Sequence, residues 1–181
     1  LETDGNEANL GAGTRCVVLT GSIDTPDQLR ETYFYETDPL PRHMGESFAI
    51  HSLVELEALP EGRLLALERS LTLPAGYAAT LYLVDATTHA PPADPDVFPP
   101  RLPILRKALV ADLRTLAREA GVPWLGNLEG LALGPTIAEL TGDPTETGRL
   151  LLVVADDNFG ADVQKTGSQV IALRYTDAES E

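Results

Sequence analysis

The chain is short of almost everything that marks a disulfide-stapled, metal-thiolate, nucleic-acid or membrane protein. Cys16 is the one cysteine in 181 residues, which excludes an intramolecular disulfide and a cysteine-based zinc cluster. Beside Val17, Val18 and Leu19, it reads as a buried strand residue. Basic residues are scarce, 13 against 28 acidic, for a net charge of −15 and a pI near 4.4. That balance repels phosphate backbones and anionic bilayers, so neither nucleic acid nor a membrane surface is an expected partner. No run approaches the roughly 18 apolar residues needed to span a bilayer. The chain starts at Leu1 without a methionine and without a basic start followed by an apolar run, so it is expected to be processed, cleaved or truncated. A Gly-x-Ser-x-Gly elbow is missing. Gly11-Ala12-Gly13 lacks the lysine and preceding strand of a phosphate loop. His43, His51 and His89 lack helical metal-ligand spacing and read as loop or surface residues.

What is present is β-rich. Apolar residues make up 43% of the chain, enough for a real core. Residues 1–14, rich in Gly, Asn, Glu and Asp, read as a loop. Strands are predicted at Cys16 to Gly21, Glu31 to Thr37, Leu53 to Leu59, Arg63 to Glu68 and Ala79 to Val84, and near the end at Arg149 to Ala155 and Gln169 to Tyr175. Pro60-Glu61-Gly62 is a hairpin signal between two of them. Six prolines between Pro91 and Pro103 exclude helix and central strand there and predict a long exposed loop. Leu105, Leu109, Leu113 and Leu116 keep helical spacing, but Ala108 to Ala111 can equally close a sheet, with Asp112 capping a short helix that stops at Gly121. Strand then helix is the preferred reading.

The chain also repeats itself. Glu55-Leu56-Glu57-Ala58-Leu59 precedes Gly62-Arg63-Leu64-Leu65, and Glu129-Gly130-Leu131-Ala132-Leu133 precedes Gly148-Arg149-Leu150-Leu151. A further apolar strand follows each copy, at Leu81 to Val84 and at Val170 to Leu173. Repeated short antiparallel strands with turn signals suggest propeller blades.

Within the second copy, Asn127-Leu128-Glu129-Gly130-Leu131-Ala132-Leu133-Gly134-Pro135 and Gly148 through Asp156-Asp157-Asn158-Phe159 resemble the C-terminal signature of the phytase-like (esterase-like activity of phytase) family. Leu59 to Arg69 is similar to that family's middle signature. The resemblance, strongest in the last fifty residues, covers roughly residues 45 to 175. It implies an all-β fold: propeller blades of four-stranded antiparallel sheets, incomplete in this chain, with one short helix. Residues 1–44 would end a preceding blade, 45–126 form a blade with a long loop and short helix, 127–175 form the C-terminal blade, and 176–181 are an acidic tail. A second polypeptide or a missing N-terminal segment would complete the propeller. The chain departs from the family pattern in lacking the N-terminal half and in the insertion between Gly134 and Gly148.

Function follows only as expectation. Glu129 and Asp156-Asp157-Asn158 fall at the same end of one predicted hairpin, and Glu55 matches Glu129 in the earlier copy. Carboxylates and an amide are the hard oxygen donors calcium prefers, so Glu129, Asp157, Asn158 and Glu55 are the candidate metal ligands, with Asp156 as ligand or catalytic base. The plainer reading of Asp-Asp-Asn is turn chemistry. Arg69 ends an apolar strand and could bind an ester's phosphate or carboxylate; alternatively it pairs with Glu68 or another blade. The resemblance implies an extracytoplasmic hydrolase of small phosphate or carboxylate esters assisted by calcium. The alternative is a non-catalytic propeller that serves as a scaffold or binding subunit.

Overall fold

A computed structural model describes residues 13–22, 24–40, 48–87, 102–157, 159 and 167–176, and these are mostly strand. Strands β1 (Arg15–Ser22) and β2 (Thr25–Glu36) form a two-stranded sheet A. Strands β3 (Phe48–Ala58), β4 (Arg63–Leu73), β5 (Gly76–Asp85) and β6 (Arg106–Asp112) form a four-stranded sheet B in chain order. After helix α1 (Leu113–Glu119), strand β7 (Asn127–Thr136), helix α2 (Ile137–Thr141) and strands β8 (Arg149–Asp156) and β9 (Gln169–Tyr175) complete a three-stranded sheet C. Every ladder between neighbouring strands is antiparallel. Among the described residues the sheets do not close into a propeller.

The repeated Gly-Arg-Leu-Leu has a backbone cause. Gly62 and Gly148 immediately precede β4 and β8 with φ of 75° and 86°, a left-handed geometry that glycine alone adopts at little cost. At Gly148 a Cβ would also stand 2.7 Å from the Tyr175 carbonyl oxygen. Both copies are therefore hairpins followed by a third antiparallel strand. Their registers differ, however. Leu67 of β4 faces Glu55, while the matching Val153 of β8 faces Leu131. The first strands are slid by two residues against the sequence alignment, which keeps side-chain faces but moves positions. Glu55 and Glu129 are thus not equivalent in the ladders, which corrects the expected match.

The strand-then-helix reading of Lys107 to Ala120 holds. The Asp112 side chain accepts from the backbone N–H groups of Arg114 and Thr115, and Leu113 and Ala117 turn inward. Leu109, a member of the alternative helical stripe, is 66% exposed on β6. A second helix, α2, lies in the link read as an insertion. Thr136 and Glu139 form a reciprocal capping box around its start, a Thr-x-x-Glu signal that the sequence carries.

Sheet B has two covered faces. Along β4, Leu65, Leu67 and Leu71 join Tyr77, Ala79 and Leu81 of β5, Leu113 and Ala117 of α1, and Leu128, Leu131, Leu151 and Val153 of sheet C in one apolar core. The alternate residues face sheet A, where Ala66, Tyr82 and Val84 meet Val18, Tyr33, Tyr35 and Leu105. Cys16 packs half-buried against this second core. The end of the proline-rich segment fastens the same joint: Phe34 N–H donates to the Pro103 carbonyl and Leu105 N–H to the Phe34 carbonyl. Residues 88–101, and with them His89 and most of the predicted loop, lie outside the described residues, as does His43.

Candidate functional site

Two polar assemblies are built into these joints. The first lies where β7 of sheet C packs against β3 and β4 of sheet B. The β7–β8 ladder slips between Leu128 and Gly130, leaving Glu129 as the extra residue of a bulge, a device that re-aims a side chain. The Arg69 Nη2 reaches the Glu129 Oε1 at 3.1 Å from the neighbouring sheet, and the Asn127 Nδ2 donates to the same oxygen at 2.7 Å. Arg69 is mostly buried and its guanidinium carbon stands 6.0 Å from the centre of the Tyr77 ring. The Arg69 Nε and the Asn127 Oδ1 are buried without a hydrogen-bond partner. Asp156 faces Asn127 across the ladder, exposed at the strand end.

This places the sequence-derived candidates. Arg69, Glu129 and Asp156 belong to one junction, with Asn127 between them. Asp157 is half-buried and its Oδ1 accepts the Phe159 N–H at 3.0 Å, the turn geometry its neighbours suggest. Glu55 lies on β3, where its Oε1 accepts from the Leu56 N–H. Asn158 lies outside the described residues. The polar link nearest Glu55's strand end is instead Glu57, whose Oε1 accepts the Leu133 N–H at 3.1 Å.

The second assembly, between sheets A and B, was not foreseen from sequence. Glu68 is fully buried. Its Oε1 accepts from the Tyr35 hydroxyl at 2.6 Å and from the Lys107 ammonium at 2.5 Å. Its Oε2 accepts from the Asp38 backbone N–H at 3.0 Å and lies 2.7 Å from His51 Nε2. Lys107 also pairs with Asp38 at 2.8 Å, which accepts from the Tyr82 hydroxyl at 2.6 Å. The ammonium lies 4.4 Å from the centre of the Tyr82 ring and 5.1 Å from that of Tyr35, within cation–π range.

The electrostatics follow from burial and partners. Burial would raise the Glu68 carboxyl, but hydrogen bonds from His51, Lys107 and Tyr35 outweigh it and hold it below its ordinary value. Burial acts the same way on Asp38, and its bonds from Lys107 and Tyr82 again prevail. Burial and then the Glu68 charge push the Tyr35 hydroxyl far up; burial and the Asp38 bond do so for Tyr82. Both phenols therefore remain donors. His51 was read as a loop or surface residue, yet it sits on β3 with its side chain 10% exposed.

Comparison with known proteins fits the sheet pattern and the repeated signature. The family described as "Phytase-like: Esterase-like activity of phytase" matches residues 1–159. The chain belongs to this family. No curated protein and no solved structure matches it. The match reaches further toward the N-terminus than the resemblance over residues 45 to 175 did, and so takes in sheet A. Membership does not settle the metal question. Among the described residues, no three His, Cys, Asp or Glu side chains converge on a point that could hold an ion. Glu129, the first candidate ligand, already shares its Oε1 with a guanidinium, and a cation beside that positive charge is disfavoured. The described donors at this junction therefore do not fit calcium.

Proposed function

We propose that the chain belongs to an exported phytase-like hydrolase of small phosphate or carboxylate esters, with its anion-binding point at the junction of sheets B and C. The observation that carries this reading is Arg69: a mostly buried guanidinium with its Nε unpartnered. Arginine's planar fork suits phosphate and carboxylate oxygens, and Glu129 holds it from one side. Asp156, exposed at the adjoining strand end, is the candidate base that would take a proton from an attacking water.

The test is hydrolysis of para-nitrophenyl phosphate and para-nitrophenyl acetate by the purified protein. Arg69→Lys should raise KM for the phosphate ester by about tenfold, a loss of bidentate binding. Asp156→Asn should lower kcat by about 100-fold or more. Wild-type protein inert to both esters would defeat the reading.

A second reading is a non-catalytic scaffold or binding module. It is favoured by Glu129 being engaged by Arg69 and Asn127, and by the apolar side chains of Val154 and Val170 exposed on sheet C. In that reading a further polypeptide segment or a second chain covers sheet C.

A further inference from the structure

We propose that the Glu68 assembly is an acid-operated latch that fastens sheet A to sheet B and releases it, while sheets B and C stay together. Glu68 faces the Tyr35 hydroxyl from β2, the Asp38 backbone N–H from the segment after it, His51 from β3 and the Lys107 ammonium from β6. Tyr82 of β5 and the Asp38 carboxylate complete the charged and titratable groups around it. Facing a carboxylate, His51 carries hydrogen on Nε2, so all four of these partners donate. Both oxygens of Glu68 are thereby used twice.

A proton added to Glu68 would turn one of those oxygens into a donor aimed at donors. To receive it, the Tyr35 hydroxyl or the His51 Nε2 would have to stop donating to Glu68 and accept instead, and the Lys107 and Asp38 N–H donors cannot make that exchange, so the closed shell loses hydrogen bonds. The closed joint therefore favours the ionised form, whereas the joint with Glu68 exposed accepts either. By linkage, acid must favour the open joint. The fixed charges point the same way: Glu68 and Asp38 are answered by Lys107, and protonating either carboxylate removes an attraction that ties β6 to β4 or to the segment after β2. The opposite joint, between sheets B and C, has a 15-residue apolar core with the Glu129 and Glu57 carboxylates only partly buried beside it, so acid has less purchase on it.

Hydrogen–deuterium exchange on the full chain tests the latch. The protein is labelled at stepped pH from roughly 7 to roughly 3, for times scaled to the intrinsic exchange rate, and peptides from β1–β2 and β7–β8 are compared. In the wild type, β1–β2 should lose protection at least about one pH unit above β7–β8. Glu68→Gln presents an amide donor at all pH values, so β1–β2 should be unprotected throughout while β7–β8 keeps its wild-type protection. Because that variant could simply fail to pack its hairpin, Tyr35→Phe provides the second arm. Loss of one donor should move the β1–β2 step to higher pH and leave β7–β8 in place. The latch is refuted if the two regions open together at one pH, if β1–β2 shows no step, or if Tyr35→Phe leaves the step where the wild type has it.

Discussion

Alternate residues of β4 hold the two faces of sheet B by different physics. Toward sheet C, Leu65, Leu67 and Leu71 enter an apolar core that also takes in α1, with the Arg69–Glu129 pair and the Glu57 bond at its border. Toward sheet A, Ala66 enters a smaller core and Glu68 then places a charge in it. The apolar joint depends on area and shape, which tolerate pH and salt. The polar joint depends on every donor finding its acceptor, which makes it sensitive to one atom. One strand can serve both because successive side chains point to opposite faces.

The comparison breaks most sharply at Glu68. Glu68→Ala leaves Tyr35 and His51 buried without their acceptor and Lys107 with Asp38 alone, and should cost about 3–5 kcal/mol in urea unfolding, with sheet A losing exchange protection first. Leu67→Ala strikes the other face. It should cost about 2–5 kcal/mol and loosen β7–β8 at least as much as β1–β2, because its cavity opens between sheets B and C. Equal loosening of all three sheets by both variants would show that the two joints are not separable.

Acid sharpens the contrast. The folded-state values of Glu68 and Asp38 lie below their ordinary 4.5 and 3.8. Their contribution is complete above those ordinary values and is lost as pH falls through the lower, folded ones. Stability measured by urea midpoints should therefore fall with acid below about pH 4.5, and Glu68→Gln should flatten that fall. A smaller effect is expected from Tyr35→Phe, about 1–2 kcal/mol at neutral pH, confined to the polar joint. The smallest belongs to the apolar one: Asp112→Ala removes the cap that seats α1 and should cost about 1 kcal/mol, detectable as faster exchange in α1 with sheet A unchanged.

Local chemistry made much of the fold legible. Turn glycines at Gly62 and Gly148, the Asp112 cap and runs of alternating apolar residues are short-range signals, and the strands and hairpins they announce are present. The Thr136-x-x-Glu139 box that starts α2 is a short-range signal of the same kind, but the reading of that link as an insertion passed over it. The candidate junction was half legible, since Asn127, Glu129 and Asp156 are near in one hairpin. That Arg69 would meet them required knowing that β7 packs on β3 and β4.

The Glu68 assembly shows where sequence stops. Its one linear trace is in β4, where Glu68, Ser70 and Thr72 share a face opposite Leu67, Leu71 and Leu73. Nothing local joins that face to Tyr35, Asp38, His51, Tyr82 and Lys107, which come from five other places in the chain. The sequence by itself determined the β class, the repeated hairpins, the capped helix after β6 and the strongly acidic surface, because each depends on neighbours a few residues apart. Tertiary structure alone decided the two-residue slide between the copies, the pairing of Arg69 with Glu129 and the burial of Glu68. Those depend on which faces meet, and ladder register and sheet stacking set that over separations no local pattern encodes.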